Sequence, residues 1–389
     1  MNFLPTFALN EMQEELVDSA KKLSASFEKR ASFYDQNALF PFENFQEIKK
    51  AGLLELTIPK EQGGKGAGLY EFILLQETLA QGDAPTALSL GWHLGVLMNL
   101  SSYQVWPKET FNKICTEIIT KQKIINSAHS EAGTGSPARG GLPETSARKT
   151  DNGKWIINGR KTFTSLAPIL DYFIISASIE GSNQVGEFIL PRDSAGLSIV
   201  ETWNSMSMKG TRSDDLLLEN VTISNEGFLF IRGQRESKPQ GWLLHIPACY
   251  LGIAIAARNE AVKFAEGYQP NSLPHPISEV AKVRESIGKM DIELTAARHF
   301  LYSVARKWDQ NPNARNKLIG ELASVKYIAT NTALSVVDEA MRIVGAKSLH
   351  AEHPLGRHYR DVRAGLHNPP SDDITLKIMA EQALAMNEY

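Results

Sequence analysis

Residues 126–141, NSAHSEAGTGSPARGG, followed by residues 151–177, DNGKWIINGRKTFTSLAPILDYFIISA, decide how this chain is read. Gly133, Gly135, Gly140 and Gly141 permit positive φ and close backbone approach to a ligand, while Ser130 and Ser136 add hydroxyls that both donate and accept. Asn152-Gly153 and Asn158-Gly159 read as hairpin turns, and residues 154–157 and 162–164 as extended strand. The glycines therefore belong to a β module, and its polar turn suits a flat redox ring better than a phosphate. Gly133-Thr134-Gly135 lacks the continuation of a dinucleotide fingerprint, and Gly63-Gly64-Lys65 is followed by Gly66, so neither phosphate-binding motif is present.

Outward from that segment the strand-type period holds over about 124–231, with Thr, Val, Ile and Phe runs broken by turn residues. Before it the chain is helical: Met12, Leu16, Leu23 and Phe27 recur at helix spacing, residues 42–54 give a short amphipathic piece, and helices follow the loop 59–68 at 69–80 and 85–100. After the polar linker 232–240 helical periodicity returns. One long helix carries Val280, Val283, Ile287, Met290 and Leu294 to about Trp308; a second carries Leu318, Leu322, Val325, Ala329 and Val336 until Gly345 stops it. Short connections between such helices predict an antiparallel bundle. The expected architecture is multidomain α+β: an all-α domain over 1–123, a central antiparallel β domain over 124–232 and a four-helix bundle over 233–389. A ligand belongs where these bodies meet, since clefts between domains bury ligands best.

Lys plus Arg total 41 against 44 acidic residues, for a net charge of −3 with no basic run, which argues against a nucleic-acid partner. Cys115 and Cys249 are the only cysteines, a pattern of a reducing compartment. The opening MNFLPTFALNEMQEEL lacks a basic stretch leading into an apolar one, so a cytoplasmic location is expected. The uncharged run 241–257 holds His245 and Pro247 and reads as a buried core helix, with no membrane. His350, His353 and His358 lack H-E-x-x-H spacing, and no metal is expected.

Five dispersed motifs, in order, resemble the acyl-CoA dehydrogenase family of flavoproteins over nearly the whole chain. They are residues 52–66; Ser130-Glu131-Ala132-Gly133-Thr134-Gly135-Ser136; Asn158-Gly159-x-Lys161-x-Phe163-Thr164-Ser165; Met208–Ser213 with Glu219-Asn220-Val221 as a paired strand motif; and residues 340–345 with 357–361. The resemblance implies an acyl-CoA dehydrogenase-like fold and FAD as cofactor, with FMN as a smaller alternative. It implies α,β-dehydrogenation of an acyl-CoA thioester in fatty acid metabolism, with hydride passing to flavin N5. His129 and Ser130 would face the pyrimidine side, and Gly135 the ring. Ser136 would meet the substrate thioester tail, Phe163 the ring face, and Thr164 and Ser165 the N5 edge. Arg342 and Gly345 would touch the cofactor of a neighbouring subunit, in a homotetramer or at least a dimer, with Ser371 near the cofactor. Arg360-Asp361 reads as a helix-end ion pair. The electron acceptor would be an electron-transfer flavoprotein.

The family's catalytic Glu is missing from both its positions: residues 365–373 read GLHNPPSDD, and residues 241–245 read GWLLH. Asp372, His367 and His93 are the remaining catalytic candidates, with Asp373 beside Asp372. A pyrophosphate-binding Arg is likewise replaced within residues 269–276. Two alternatives stay open: a reduced-flavin monooxygenase on the same fold, served by a flavin reductase and using histidine and serine, and a catalytically silent flavin- or acyl-CoA-binding protein.

Overall fold

The computed structural model describes residues 4–134, 141–233 and 238–385. Gly135 and Ser136 lie outside the described residues.

The chain begins with helices α1 (Glu11–Asn37), α2 (Phe42–Lys50), α3 (Leu69–Ala80), α4 (Ala84–Tyr103) and α5 (Lys108–Lys121). Asn10 and Asp83 cap α1 and α4 by accepting from the backbone N–H three residues on. Helix α3 is almost wholly buried, so it is a core helix rather than a surface one.

The strands are β1 (Ile125–Ala128), β2 (Ser146–Lys149), β3 (Trp155–Lys161), β4 (Tyr172–Ile179), β5 (Val185–Pro191), β6 (Leu197–Val200), β7 (Asp215–Ile223) and β8 (Phe228–Ile231). They form one sheet in the order β6-β7-β3-β2-β4-β5-β8, with β1 added against β4. Most pairs are antiparallel, but β1 and β2 both run parallel to β4.

Three local expectations are corrected here. Asn152-Gly153 does make the β2–β3 turn, with Gly153 at φ 79°, but Asn158-Gly159 is not a turn: it sits inside β3 at a bulge against β7. Residues 162–164 are not strand either. β3 stops at Lys161, and Phe163 adopts the left-handed φ of 55°. Nor are residues 208–213 a strand, since they form a 3-10 turn ahead of β7.

Gly159 combines a φ of 152° with close approach to Thr145, whose Cα lies 2.7 Å from where a Cβ would stand. Gly159→Ala is expected to cost at least about 2 kcal/mol, read as a lower urea midpoint at unchanged slope, because both backbone strain and overlap must be accommodated.

The closing helices are α6 (His245–Gly267), α7 (Ala281–Gln310), α8 (Ile319–Val344), α9 (Pro354–Val362) and α10 (Asp372–Ala385). The apolar run read from sequence becomes α6 and the turn before it, and its most apolar stretch is 83% buried by protein. Long-range polar contacts lock the bundle onto the first helices. Arg298 makes two 2.8 Å bonds to the buried carboxylate of Glu77, Tyr302 adds a third, and Asp309 accepts from the free N–H groups of Leu69 and Tyr70 at the start of α3.

Candidate active site

Where β3 ends, three segments meet. Thr162 N–H donates to the Ser130 carbonyl (2.8 Å), Thr164 N–H to Asp214 O (3.2 Å) and Leu166 N–H to Thr211 O (3.0 Å), so the 162–166 loop is sewn to the turn after β1 and to the loop before β7. Asp214 gathers that last loop by accepting from Thr202 N, Trp203 N and Arg212 Nε, each at 2.9 Å. Phe163, Leu166, Met208 and Arg212 all carry positive φ, between 41° and 71°. Left-handed backbone at four non-glycine residues on adjoining loops is strain that these cross-links sustain, a pattern of functional sites.

The loops leave apolar side chains exposed. Phe163 is 64% exposed, Met206 is 58% exposed, and Trp203 stands edge-on to Phe163 with centroids 5.8 Å apart. Beside them lie half-buried Ser130 and Ser165. The hydroxyls of Thr162 and Thr164 are buried with no hydrogen-bond partner. An exposed aromatic wall next to unpartnered hydroxyls fits a planar heterocycle with a polar edge.

Charge is concentrated behind Ser130. Glu131 is buried and bonded to Lys161 at 2.5 Å, and it also accepts from Thr134, Glu144 N and Thr145 N. Burial pushes its carboxyl up, but Lys161 and the hydrogen bonds outweigh burial and hold it at about 2. On the other side Glu187 receives His129 Nε2 (2.9 Å) and Arg232 Nε (2.7 Å), and these partners overcome burial to hold it also at about 2. The His129 ring is thus engaged with Glu187. Trp203, Ser213, Glu187 and Arg232 were not singled out from sequence; the quoted 208–213 motif contained Ser213 but gave no sign of its partner.

Helical elements pin this loop from outside. Asp361 accepts from Met208 N at 2.6 Å, and Arg360 pairs with Asp35 of α1 while donating to Met206 O. Arg360 and Asp361 are therefore two clamps to different bodies, which corrects the reading of them as one ion pair. A side chain at Gly210 would lie 3.1 Å from Pro85, so α4 also abuts the loop.

The remaining candidates are dispersed. His93 is fully buried; its Nδ1 accepts from Ile125 N (3.1 Å) and its Nε2 faces Leu54 O (3.1 Å), so both nitrogens serve the backbone and none is left for substrate. His367 is exposed. Asp372 opens α10 with its oxygens near Lys326 Nζ (3.3 Å) and Asn331 Nδ2 (3.2 Å), and the Ser371 hydroxyl donates to Asp373. Arg342 and Gly345 lie exposed at the end of α8. Within the two segments where the acid was expected, Asn368 Oδ1 accepts from the Tyr250 hydroxyl (2.5 Å), and His245 is buried between Phe72 and Trp242 with neither ring nitrogen bonded.

Residues 10–103, 126–221 and 244–384 match the models for the acyl-CoA dehydrogenase N-terminal, middle and C-terminal domains. YdbM of Bacillus subtilis (strain 168), which carries an acyl-CoA dehydrogenase name, is 48% identical over 97% of this chain and 98% of its own. Among solved structures, butyryl-CoA dehydrogenase from Megasphaera elsdenii superposes with a TM-score of 0.85 at 22% identity over 98% of this chain and 100% of that one. FMN-bound TdsC from Paenibacillus sp. A11-2 gives 0.84 at 22% identity over 93% and 95%.

Proposed function

The chain belongs to the acyl-CoA dehydrogenase family, and from that premise we propose that it oxidises an acyl-CoA thioester by α,β-dehydrogenation. The family cofactor is FAD, with FMN as the smaller alternative. FAD supplies the acceptor for the β-hydride. The exposed Phe163 ring carries the reading, because it would be covered by the heterocycle, with Ser165 at its reactive edge and Ser130 at its pyrimidine side. Asp372 is assigned the α-proton, which requires it to leave Lys326 and Asn331. Electrons then leave through an electron-transfer flavoprotein. We place the enzyme in the cytoplasm as a homotetramer in which Arg342 and Gly345 meet a neighbouring subunit's cofactor.

The second reading, a reduced-flavin monooxygenase fed by a flavin reductase, is favoured by one observation: proline or asparagine stands where the family's Glu belongs in the loop 365–373, and the other segment, 241–245, holds no acid.

Purified protein is expected to be yellow and to bleach anaerobically with one or more members of an acyl-CoA panel. Bleaching by none, with product formed only when a reductase and O2 are supplied, would replace the first reading with the second. Asp372→Ala should slow bleaching by at least about a hundredfold, in the range of a lost general base; an unchanged rate removes Asp372 from the mechanism. Phe163→Ala should weaken flavin retention about tenfold, by loss of ring contact, measured by fluorescence titration of the apoprotein.

A further inference from the structure

A cavity of about 210 Å³ opens between the turn that precedes α6, the first turns of α8 and the start of α10. Its walls are almost wholly apolar: Leu243, Leu322, Ile374 and Ile378 give aliphatic surface, and Pro369 and Pro370 add ring carbons and no N–H. Lys326 is the only charged residue on the wall. Its side chain is 2% exposed, and among the described residues its one hydrogen-bond and ion-pair partner is Asp372, at the long separation of 3.3 Å. An ammonium carries three N–H groups, so two remain unspent on a buried group. Burial accordingly holds the amine below its ordinary value, with Asp372 opposing. Asp372 is 31% exposed and also bonded to Asn331 (3.2 Å), so it can turn to solvent when another anion takes its place.

We propose that this cavity binds an aliphatic carboxylate, with the chain against Leu243, Leu322, Ile374 and Ile378 and the anion on Lys326 in place of Asp372. Size and charge select that class. The volume is below the ~300 Å³ at which drug-sized pockets begin, which favours a single chain over a fused ring system. A neutral chain would bury the same surface but leave the two N–H groups unmet, and a cation would face an ammonium. A carboxylate meets both demands, since its oxygens accept from the amine while its tail removes apolar surface from water. It is either a free alkanoate or the far end of an ω-carboxy acyl thioester, and the recognition is the same. The bound anion turns Asp372 off Lys326, a movement that its assigned role in the reaction also needs, but the site stands without that role.

The test is isothermal titration of the full-length protein with octanoate, 1-octanol and octylammonium, and with octanoyl-CoA beside its ω-carboxy counterpart. Octanoate is expected to bind about tenfold more tightly than octanol, the worth of one charge-assisted hydrogen bond, and octylammonium not at all. Lys326→Met should bring octanoate down to octanol. Asp372→Asn removes the competing anion and should tighten carboxylate binding about tenfold, a gain that no loss of folding can imitate. Leu322→Trp fills the cavity and should abolish binding of both octanoate and octanol, with thermal melts to establish that each variant is folded. The ω-carboxy thioester bound more tightly than octanoyl-CoA identifies the thioester as the source; equal binding of the two, beside bound octanoate, identifies the free acid. No preference for a carboxylate in either form, or one that survives in folded Lys326→Met, overturns the site, as does an Asp372→Asn protein that binds no carboxylate more tightly than the parent. None of these results touches the flavin reading, which anaerobic bleaching tests separately.

Discussion

Replacing Glu131 with alanine is expected to destabilise the protein by about 3–5 kcal/mol, a large part of the about 5–15 kcal/mol that a folded domain commonly has. The cost does not come from the attraction of the ion pair alone. Lys161 has no exposed side-chain surface and Glu131 only 2%, so alanine leaves a buried ammonium with its anion gone. It also orphans the N–H groups of Glu144 and Thr145, which Glu131 accepts as the chain returns into β2. Glu131→Gln should be nearly as damaging, because the amide keeps the shape but not the charge. The double replacement Glu131→Met with Lys161→Met should recover part of the loss, since two well-packed apolar side chains replace two buried charges. Urea midpoints for the four proteins check this; equal stability of parent and Glu131→Gln would show that the charge of Glu131 is dispensable. Because Ser130 is bonded to Thr162, loosening Glu131 should also weaken flavin binding.

That ion pair shows how far the sequence could be read. Glu131 and Lys161 both stood in quoted motifs, yet nothing at a separation of thirty residues revealed that they meet inside the sheet. Helices were legible because their signals are local: a stripe at 3.6 spacing, and Gly345 at a stop. Strand character over residues 162–164 misled because tertiary bonds to Ser130 and Asp214 bend that segment into left-handed backbone. Asn158-Gly159 misled for a related reason. Its positive φ serves a bulge that clears Thr145, and a dipeptide signal cannot distinguish a bulge from a turn. The candidate site was legible as a group of residues, Ser130, Phe163 and Ser165, but not as an arrangement. The parts that orient it come from far along the chain: Ser213 is 48 residues from Ser165, and Asp361 is 153 from Met208.

Those long-range clamps give the loop a mechanical meaning. It is held by α9 through Asp361, tied to α1 through Arg360 and Asp35, and approached by α4 at Gly210. Three bodies fix one loop, and that loop orients Ser213 behind Ser165. A site built this way resists small shifts, because left-handed backbone at Met208 and Arg212 persists only while its partners over-determine it.

Stability is expected to fall as pH drops from about 6.5 towards 4. Burial holds the imidazoles of His93 at about 4 and His245 at about 3, and lowers His358 well below the ordinary value. Above the unfolded value near 6.5 these rings are neutral in both states and the fold bears no penalty. Below it the unfolded chain takes up protons that the folded chain refuses, and each ring then removes about 1.4 kcal/mol per pH unit until its own folded value is reached. Asp361 works in the opposite direction. Burial raises its carboxyl to about 7, so between about pH 7 and 4 the fold binds a proton the unfolded chain lacks, and acid favours the fold through this group. His129 and His353 are lowered like those three rings, and Asp83 and Asp309 are raised like Asp361, so five histidines oppose three aspartates and the net change is a loss of stability as pH falls. His245 isolates the cause, because its nitrogens have no partners to lose. His245→Phe removes one titrating ring without breaking a hydrogen bond, and the slope of unfolding free energy against pH between 6 and 5 should become shallower by about 1.4 kcal/mol per unit. An unchanged slope would mean that His245 takes up its proton in the folded protein. His93 adds a structural consequence: its Nδ1 accepts from Ile125 N, so protonating it removes that acceptor at the junction of α4 and β1.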